Sequence, residues 1–299
     1  MNRDDLRSRL TGPLAFPVTP FRDDLSLDIP GLCRNVQMML QHPPAAIVAA
    51  GGTGELYSLT PQEHRQVIEA IVGECRGRVP VIAGVGFNAT LAAELARESA
   101  RLGVQAILAF PPYYPHPDDE GLVEYYCAIG AATPLGLLIY SRDWFHPNAA
   151  FVQRLAEIAT LVAWKDGQGD IRRLQILIAR IGNRLTWIGG AGDDMVPAYY
   201  AVGIRAFTSS VSNVSMRVAH ALHDLASHHD RAIQRLMSEL IVPLYAMRSR
   251  RRGYEVTVMK ELMNLLGLAG GAVRPPLPKM APTDLEELKA TVPLWRERM

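Results

Sequence analysis

Eight short apolar runs follow one another through the first two thirds of the chain, each separated from the next by a longer segment with helical spacing. They are PLAFPV from Pro13, AAIVAAG from Ala45, VPVIAGV from Val79, VQAILAF from Val104, LGLLIY from Leu135, LVAWK from Leu161, LTWIGG from Leu185 and GIRAFTSS from Gly203. These runs are near-continuously apolar and do not alternate inside and out, as expected of parallel strands covered on both faces. The intervening segments, near residues 30–40, 60–74, 90–102, 118–131, 147–158, 171–181 and 193–202, are amphipathic. Several begin with a helix-start signal, such as Thr60 before Pro61. Eight such units predict an α/β fold of the closed (β/α)8 TIM-barrel type, because an open doubly wound sheet usually has fewer strands.

After the eighth run the pattern changes. Residues 215–227, 230–251, 256–266 and 283–292 read as helices, so residues 1–214 are expected to form the barrel and residues 215–299 a C-terminal helical extension. PPLPK from Pro275 reads as a turn or rigid strap between the last two helices.

Several classes of function are disfavoured. Thirty-one basic against thirty acidic side chains leave a net charge of +1, which supports neither nucleic acid nor a membrane surface as a partner. The one basic run, RSRRR from Arg248 to Arg252, reads as a solvated helix end, with an anion or nucleic-acid patch as the alternative. No glycine-rich dinucleotide fingerprint follows the first strand, and GGTGE lacks the Lys-Ser or Lys-Thr of a phosphate loop. Cys33, Cys75 and Cys127 have long, unrelated spacings and read as buried or half-buried thiols, neither a disulfide framework nor a zinc cluster. The charged start MNRDDLRSRL has no apolar core of a signal peptide, and no stretch reaches the length of a membrane span, so a cytoplasmic protein is expected.

Functional residues of such a barrel lie where its strands end. The second run leads into Gly51, Gly52, Thr53, Gly54 and Glu55, which reads either as an anion-binding nest of backbone N–H groups or as a tight turn. The fourth leads into Tyr113 and Tyr114, and the fifth into Tyr140, Ser141, Arg142 and Asp143. The sixth ends at Lys165. An amine at the mouth of a packed barrel, flanked by Trp164, is partly desolvated, which favours its neutral, nucleophilic form. Pairing with Asp166 or Asp170 is the plainer alternative. Combined with Tyr140 on the neighbouring strand as proton carrier and Gly52 and Thr53 as carboxylate holders, Lys165 points to a Schiff-base site for a 2-oxo acid. No suitable set of His, Asp and Glu occupies the strand ends, so no metal is expected; His116 and His146, beside prolines, read as rim residues.

LAFPVTPF, AAGGTGELYSLTPQE, PPYY, IYSRD, WKDGQGD, GIRAFTSSVSN and VRPPL, spread over nearly the whole chain, resemble the dihydrodipicolinate synthase and N-acetylneuraminate lyase superfamily. GGTGE, the Arg-Asp after Tyr140 and KDGxGD at the lysine resemble its branch that dehydrates and decarboxylates 5-dehydro-4-deoxyglucarate, a dicarboxylic 2-oxo sugar acid. The resemblance implies that Lys165 forms the imine, that Tyr140 shuttles protons, and that Thr53 holds the carboxylate and links to the tyrosine. It also implies that Tyr114 acts across a subunit contact, that Ser209, Ser210 and Asn213 close the mouth of the pocket, and that the protein is a cofactor-free homotetramer built from dimers. Arg142 is expected either to meet the substrate's second carboxylate or to orient its loop through Asp143, with a rim pairing as the bland alternative. Two positions depart from the relatives. Phe145 stands where the synthases carry an arginine, which disfavours condensation with aspartate semialdehyde, and Ser141 replaces the usual asparagine. An aldolase releasing pyruvate would need the same Lys165 and Tyr140.

Overall fold

In the computed structural model, which describes residues 1–299, all eight runs form strands: β1 (Gly12–Ala15), β2 (Ala46–Ala49), β3 (Val81–Val85), β4 (Ala106–Ala109), β5 (Gly136–Ser141), β6 (Leu161–Asp166), β7 (Thr186–Gly189) and β8 (Ala206–Ser209). They close into a parallel barrel in chain order, β8 returning to β1 with Gly12 opposite Ala206 and Ala15 opposite Ser209. The inward face carries Leu14, Val48, Ile82, Leu108, Leu138 and Ile188, all buried. The outward face packs on the helices through residues such as Ile47, Ile107, Ile139 and Trp164. Continuous apolar runs are needed because both faces are dry.

The lower end of the barrel is closed by a helix that the sequence pattern did not indicate, Arg3–Arg9. It places Leu6 against the barrel floor beside Leu10, both nearly inaccessible, and Leu6 lies so close to Gly136 that a Cβ there would meet it at 2.9 Å. Two leucines in a short charged stretch carry too little periodicity to be read as an amphipathic helix.

Helix Met216–Ser227 packs against β1 and the preceding helix Val196–Ala201. The helix expected over 230–251 is instead Ala232–Leu236, a π-helical turn at Met237–Ile241, and Val242–Arg248. Pro243 sits just beyond the π turn; lacking an N–H, it cannot continue the regular ladder. Tyr254–Leu265 and Pro282–Arg296 follow, the latter running past Pro293 to bury Trp295. The extension shares one apolar core with the β7 and β8 side of the barrel, in which Tyr199, Phe207, Leu244, Met259 and Trp295 pack together. Its C-terminal helices therefore hang over the barrel mouth on that side.

Two expectations change here. Cys127 is exposed, because it lies on the wet face of helix Asp119–Ala131. The RSRRR run is not uniformly solvated: Arg250 pairs with Asp284 and Glu287, while Arg248 is buried with only 7% of its surface accessible. No helix is long and apolar enough to cross a membrane.

Candidate active site

Tyr140 and Lys165 stand opposite each other across β5 and β6. Leu137 faces Leu161, but Leu138 faces Ala163, so the register slips by one residue before the pair is reached. Paired positions on neighbouring strands project from the same face, here into the barrel mouth. Trp164 consequently points the other way and packs against Phe145, ring centroids 6.1 Å apart, in the layer beneath the helices. The expectation that Trp164 desolvates the lysine is therefore corrected. The rings around the amine are those of Tyr140, whose centroid lies 3.2 Å from Nζ, and Phe16, at 5.4 Å.

Lys165 is 4% exposed, and its Nζ donates to the carbonyl of Gly190 at 3.2 Å. Neither aspartate competes for it. Asp166 accepts from Tyr199 Oη at 2.9 Å and Gly169 N at 3.0 Å, and Asp170 caps helix Ile171–Ile181 through Arg173 N. Burial first, and then the Arg142 charge, hold the Lys165 amine well below the ordinary lysine range, against the opposing pull of Asp166. Two glycines make the space. A Cβ on Gly167 would come within 2.4 Å of the Tyr140 ring, and one on Gly190 within 2.6 Å of Lys165 Cγ.

Burial raises the Tyr140 phenol above its ordinary value, and Arg142 pulls the other way. Arg142 Nη1 donates to the phenol oxygen at 3.1 Å, and its Nε donates to Asp143 at 3.3 Å. With its oxygen accepting from the guanidinium, the phenol keeps its own proton for a group in the cavity. It can therefore act as a proton donor beside a nucleophilic amine.

The loop after β2 forms the opposite wall. Ala50 and Glu55, both with left-handed backbones (φ 49° and 57°), bracket Gly51–Gly54, and the amides of Gly52, Thr53 and Gly54 donate to no backbone carbonyl. Free N–H groups in a glycine-rich loop suit a carboxylate. Thr53 makes no hydrogen bond to Tyr140; Arg142 occupies the phenol oxygen. Glu55, fully buried, forms an ion pair with buried Lys260 of helix Tyr254–Leu265, which ties this loop to the extension. Burial raises the Glu55 carboxyl and lowers the Lys260 amine from their ordinary values, and the pairing opposes both shifts.

A cavity of about 570 Å³ opens at the barrel mouth, lined by Gly52, Thr53, Tyr140, Arg142, Lys165, Ser209 and Ser210 among others. Two expected residues lie outside it. Asn213 is buried, its Nδ2 donating to Phe16 O and Ser210 O and its Oδ1 accepting from Val18 N, so it laces the loop after β8 to the loop after β1. Tyr114 is 88% exposed in the single chain; Tyr113 reaches the lining instead. His116 is exposed and stacks on Trp144, and His146 is exposed as well. The sequence reading missed Tyr245, Arg248, Glu255 and Leu277, which the extension contributes to the lining. The proline strap was visible in sequence, but nothing in it indicated which strand ends it crosses.

A buried lysine with no salt bridge, beside a phenol at the mouth of a (β/α)8 barrel, is the arrangement expected of an imine-forming lyase. The chain belongs to the dihydrodipicolinate synthetase family, whose model matches residues 9–294. It is 40% identical over 281 residues, covering 93% of this chain and 89% of the relative, to a probable 5-dehydro-4-deoxyglucarate dehydratase of Saccharopolyspora erythraea. Its fold is similar to dihydrodipicolinate synthase from Bacillus clausii (TM-score 0.92, 26% identity, 97% and 99% of the two chains). It is also similar to the dihydrodipicolinate synthase of Acinetobacter baumannii complexed with pyruvate (TM-score 0.88, 28% identity, 97% and 100%).

Proposed function

We propose that this chain is a hydro-lyase converting 5-dehydro-4-deoxyglucarate into 2,5-dioxopentanoate, water and carbon dioxide through an imine on Lys165, acting in the cytoplasm as a tetramer built from dimers. The observation that carries the imine is the buried Lys165 amine, which has no carboxylate partner and faces Tyr140. The substrate follows from the relatives that share nearly the whole chain.

The chemistry runs in balanced steps. The neutral amine attacks the ketone carbon, and loss of one water leaves the protonated imine, with the Tyr140 phenol donating to the departing oxygen. Removal of a proton from the adjacent methylene gives an enamine. The enamine expels the hydroxyl on the next carbon, protonated as water, and leaves a conjugated iminium. The bond to the remote carboxylate then breaks; carbon dioxide departs and its electron pair enters the conjugated system. Protonation and hydrolysis return the amine and consume one water, so one water and one carbon dioxide are released net. The free amides at Gly52 and Thr53 hold the carboxylate next to the ketone, and Arg142 orients the phenol. Exposed Tyr114 meets a neighbouring copy in this reading.

Stoichiometry tests it. One carbon dioxide and one 2,5-dioxopentanoate should appear per substrate consumed, and borohydride added during turnover should leave a reduced adduct on Lys165. Pyruvate as the main product would replace the dehydratase with an aldolase on the same lysine.

A further inference from the structure

The wall that the C-terminal extension contributes to the cavity carries a guanidinium that forms no salt bridge. Arg248, at the end of helix Val242–Arg248, lines the cavity yet is only 7% exposed. Its Nε donates to the Glu255 carbonyl at 2.9 Å and its Nη2 to Ser210 Oγ at 3.2 Å, while Nη1 has no partner. Its Cζ lies over the Tyr245 ring, 4.3 Å from the centroid. Two carboxylates lie near it, Asp194, whose carboxyl feels the Arg248 charge, and Asp193, and neither forms a salt bridge with it. The Asp193 carboxylate accepts from Tyr245 Oη at 2.7 Å and from the amides of Ser210 and Val211, and so holds Arg248's supports in place. Burying a cation without a contacting counter-ion is unfavourable, yet this one is held by three neighbours. A desolvated guanidinium with one nitrogen still free and no salt bridge is suited to receiving a carboxylate.

Its place relative to Lys165 suits one substrate class. Gly190 abuts Lys165 and Gly192 abuts Tyr245, so the two side chains flank a segment of three residues whose ends are about 7 Å apart at most. Arg142, the other cation of the lining apart from Lys165, already donates to Tyr140 and Asp143. We infer that Arg248, steadied by Ser210 and Tyr245, binds the distal carboxylate of a six-carbon 2-oxo dicarboxylate whose ketone end is bound at Lys165. The inference rests on the imine chemistry proposed above and assigns the specificity for a dicarboxylate to the extension. Ion pairing alone would disfavour decarboxylation, so the role of Arg248 is recognition and alignment; the conjugated iminium supplies the electron sink.

The test uses two probes that differ only at the far end, 2-oxohexanedioate and 2-oxohexanoate, each trapped on the enzyme with borohydride and quantified by intact mass. The wild-type enzyme should reach half-trapping at a concentration about 10- to 100-fold lower for the dicarboxylate, the range expected of a charged hydrogen-bonded pair. Arg248→Met should bring that ratio close to one, and Ser210→Ala should lower it by about threefold. A wild-type enzyme with no preference overturns the inference, and this outcome needs no variant to fold. Retention of the preference in folded Arg248→Met, or its loss in Arg142→Met alone, also overturns it. Absence of a Lys165 adduct with either probe would instead overturn the imine reading on which the inference rests.

Discussion

Two lysines in this molecule are almost wholly buried, and they illustrate opposite uses of the same side chain. Lys260, in helix Tyr254–Leu265, meets the carboxylate of Glu55 and donates to the carbonyl of Ala272 at 2.7 Å. Lys165, at the end of β6, meets only a carbonyl and two aromatic rings. Burial lowers both amines, but only Lys260 has a carboxylate in direct contact to favour the charged form; Asp166 pulls on Lys165 without contacting it. Burial alone therefore does not distinguish the two; the contacting counter-ion does, and Lys165, lacking one, has the environment expected of a nucleophile. Lys260 acts as a clamp between the carboxylate loop and the extension, whereas Lys165 remains available for chemistry.

The contrast is testable as stability changes of opposite sign, the largest at Lys260. Lys260→Met strands Glu55 in a dry site and should destabilise the protein by roughly 3–5 kcal/mol, with partial recovery in the double variant with Glu55→Gln. Urea denaturation measures it; a loss below about 1 kcal/mol would show that the pair contributes no clamp. Next in size, Tyr140→Phe keeps the ring over Lys165 and removes the hydroxyl. Turnover should fall by about a hundredfold or more with the fold intact by circular dichroism. Near-normal turnover would confine the phenol to packing.

The smallest effect is a gain. The folded-state pKa of Lys165 lies below its unfolded value, so the unfolded chain binds the extra proton between the two. The buried amine therefore detracts from stability fully below its folded pKa, and the penalty fades as pH rises toward the ordinary lysine value. Lys165→Met should abolish the borohydride adduct yet stabilise the fold by about 0.5–2 kcal/mol at neutral pH, and the gain should shrink in denaturation curves recorded near pH 10. Destabilisation at neutral pH would place Lys165 with Lys260 as a structural residue.

The alternation of eight apolar runs with helical segments determined the barrel, because a strand dry on both faces cannot be written in another pattern. The placing of Lys165 and Tyr140 at the ends of consecutive runs indicated the chemistry, since strand ends are where such a barrel is open. Other features depended on contacts far apart in the chain. Without the one-residue slip between Leu137 and Leu138, the offset that pairs Leu137 with Leu161 would have set Tyr140 against Trp164 and placed Lys165 a residue out of step. Neighbours on a strand point to opposite faces, so a slip of one residue decides which side chain enters the cavity. The partner of Glu55 lies some two hundred residues along the chain, and Arg248 sits in a basic run that looks solvated until the extension folds over the mouth. Local periodicity encodes which face of an element is dry, whereas the partner across that face is chosen only when distant elements meet.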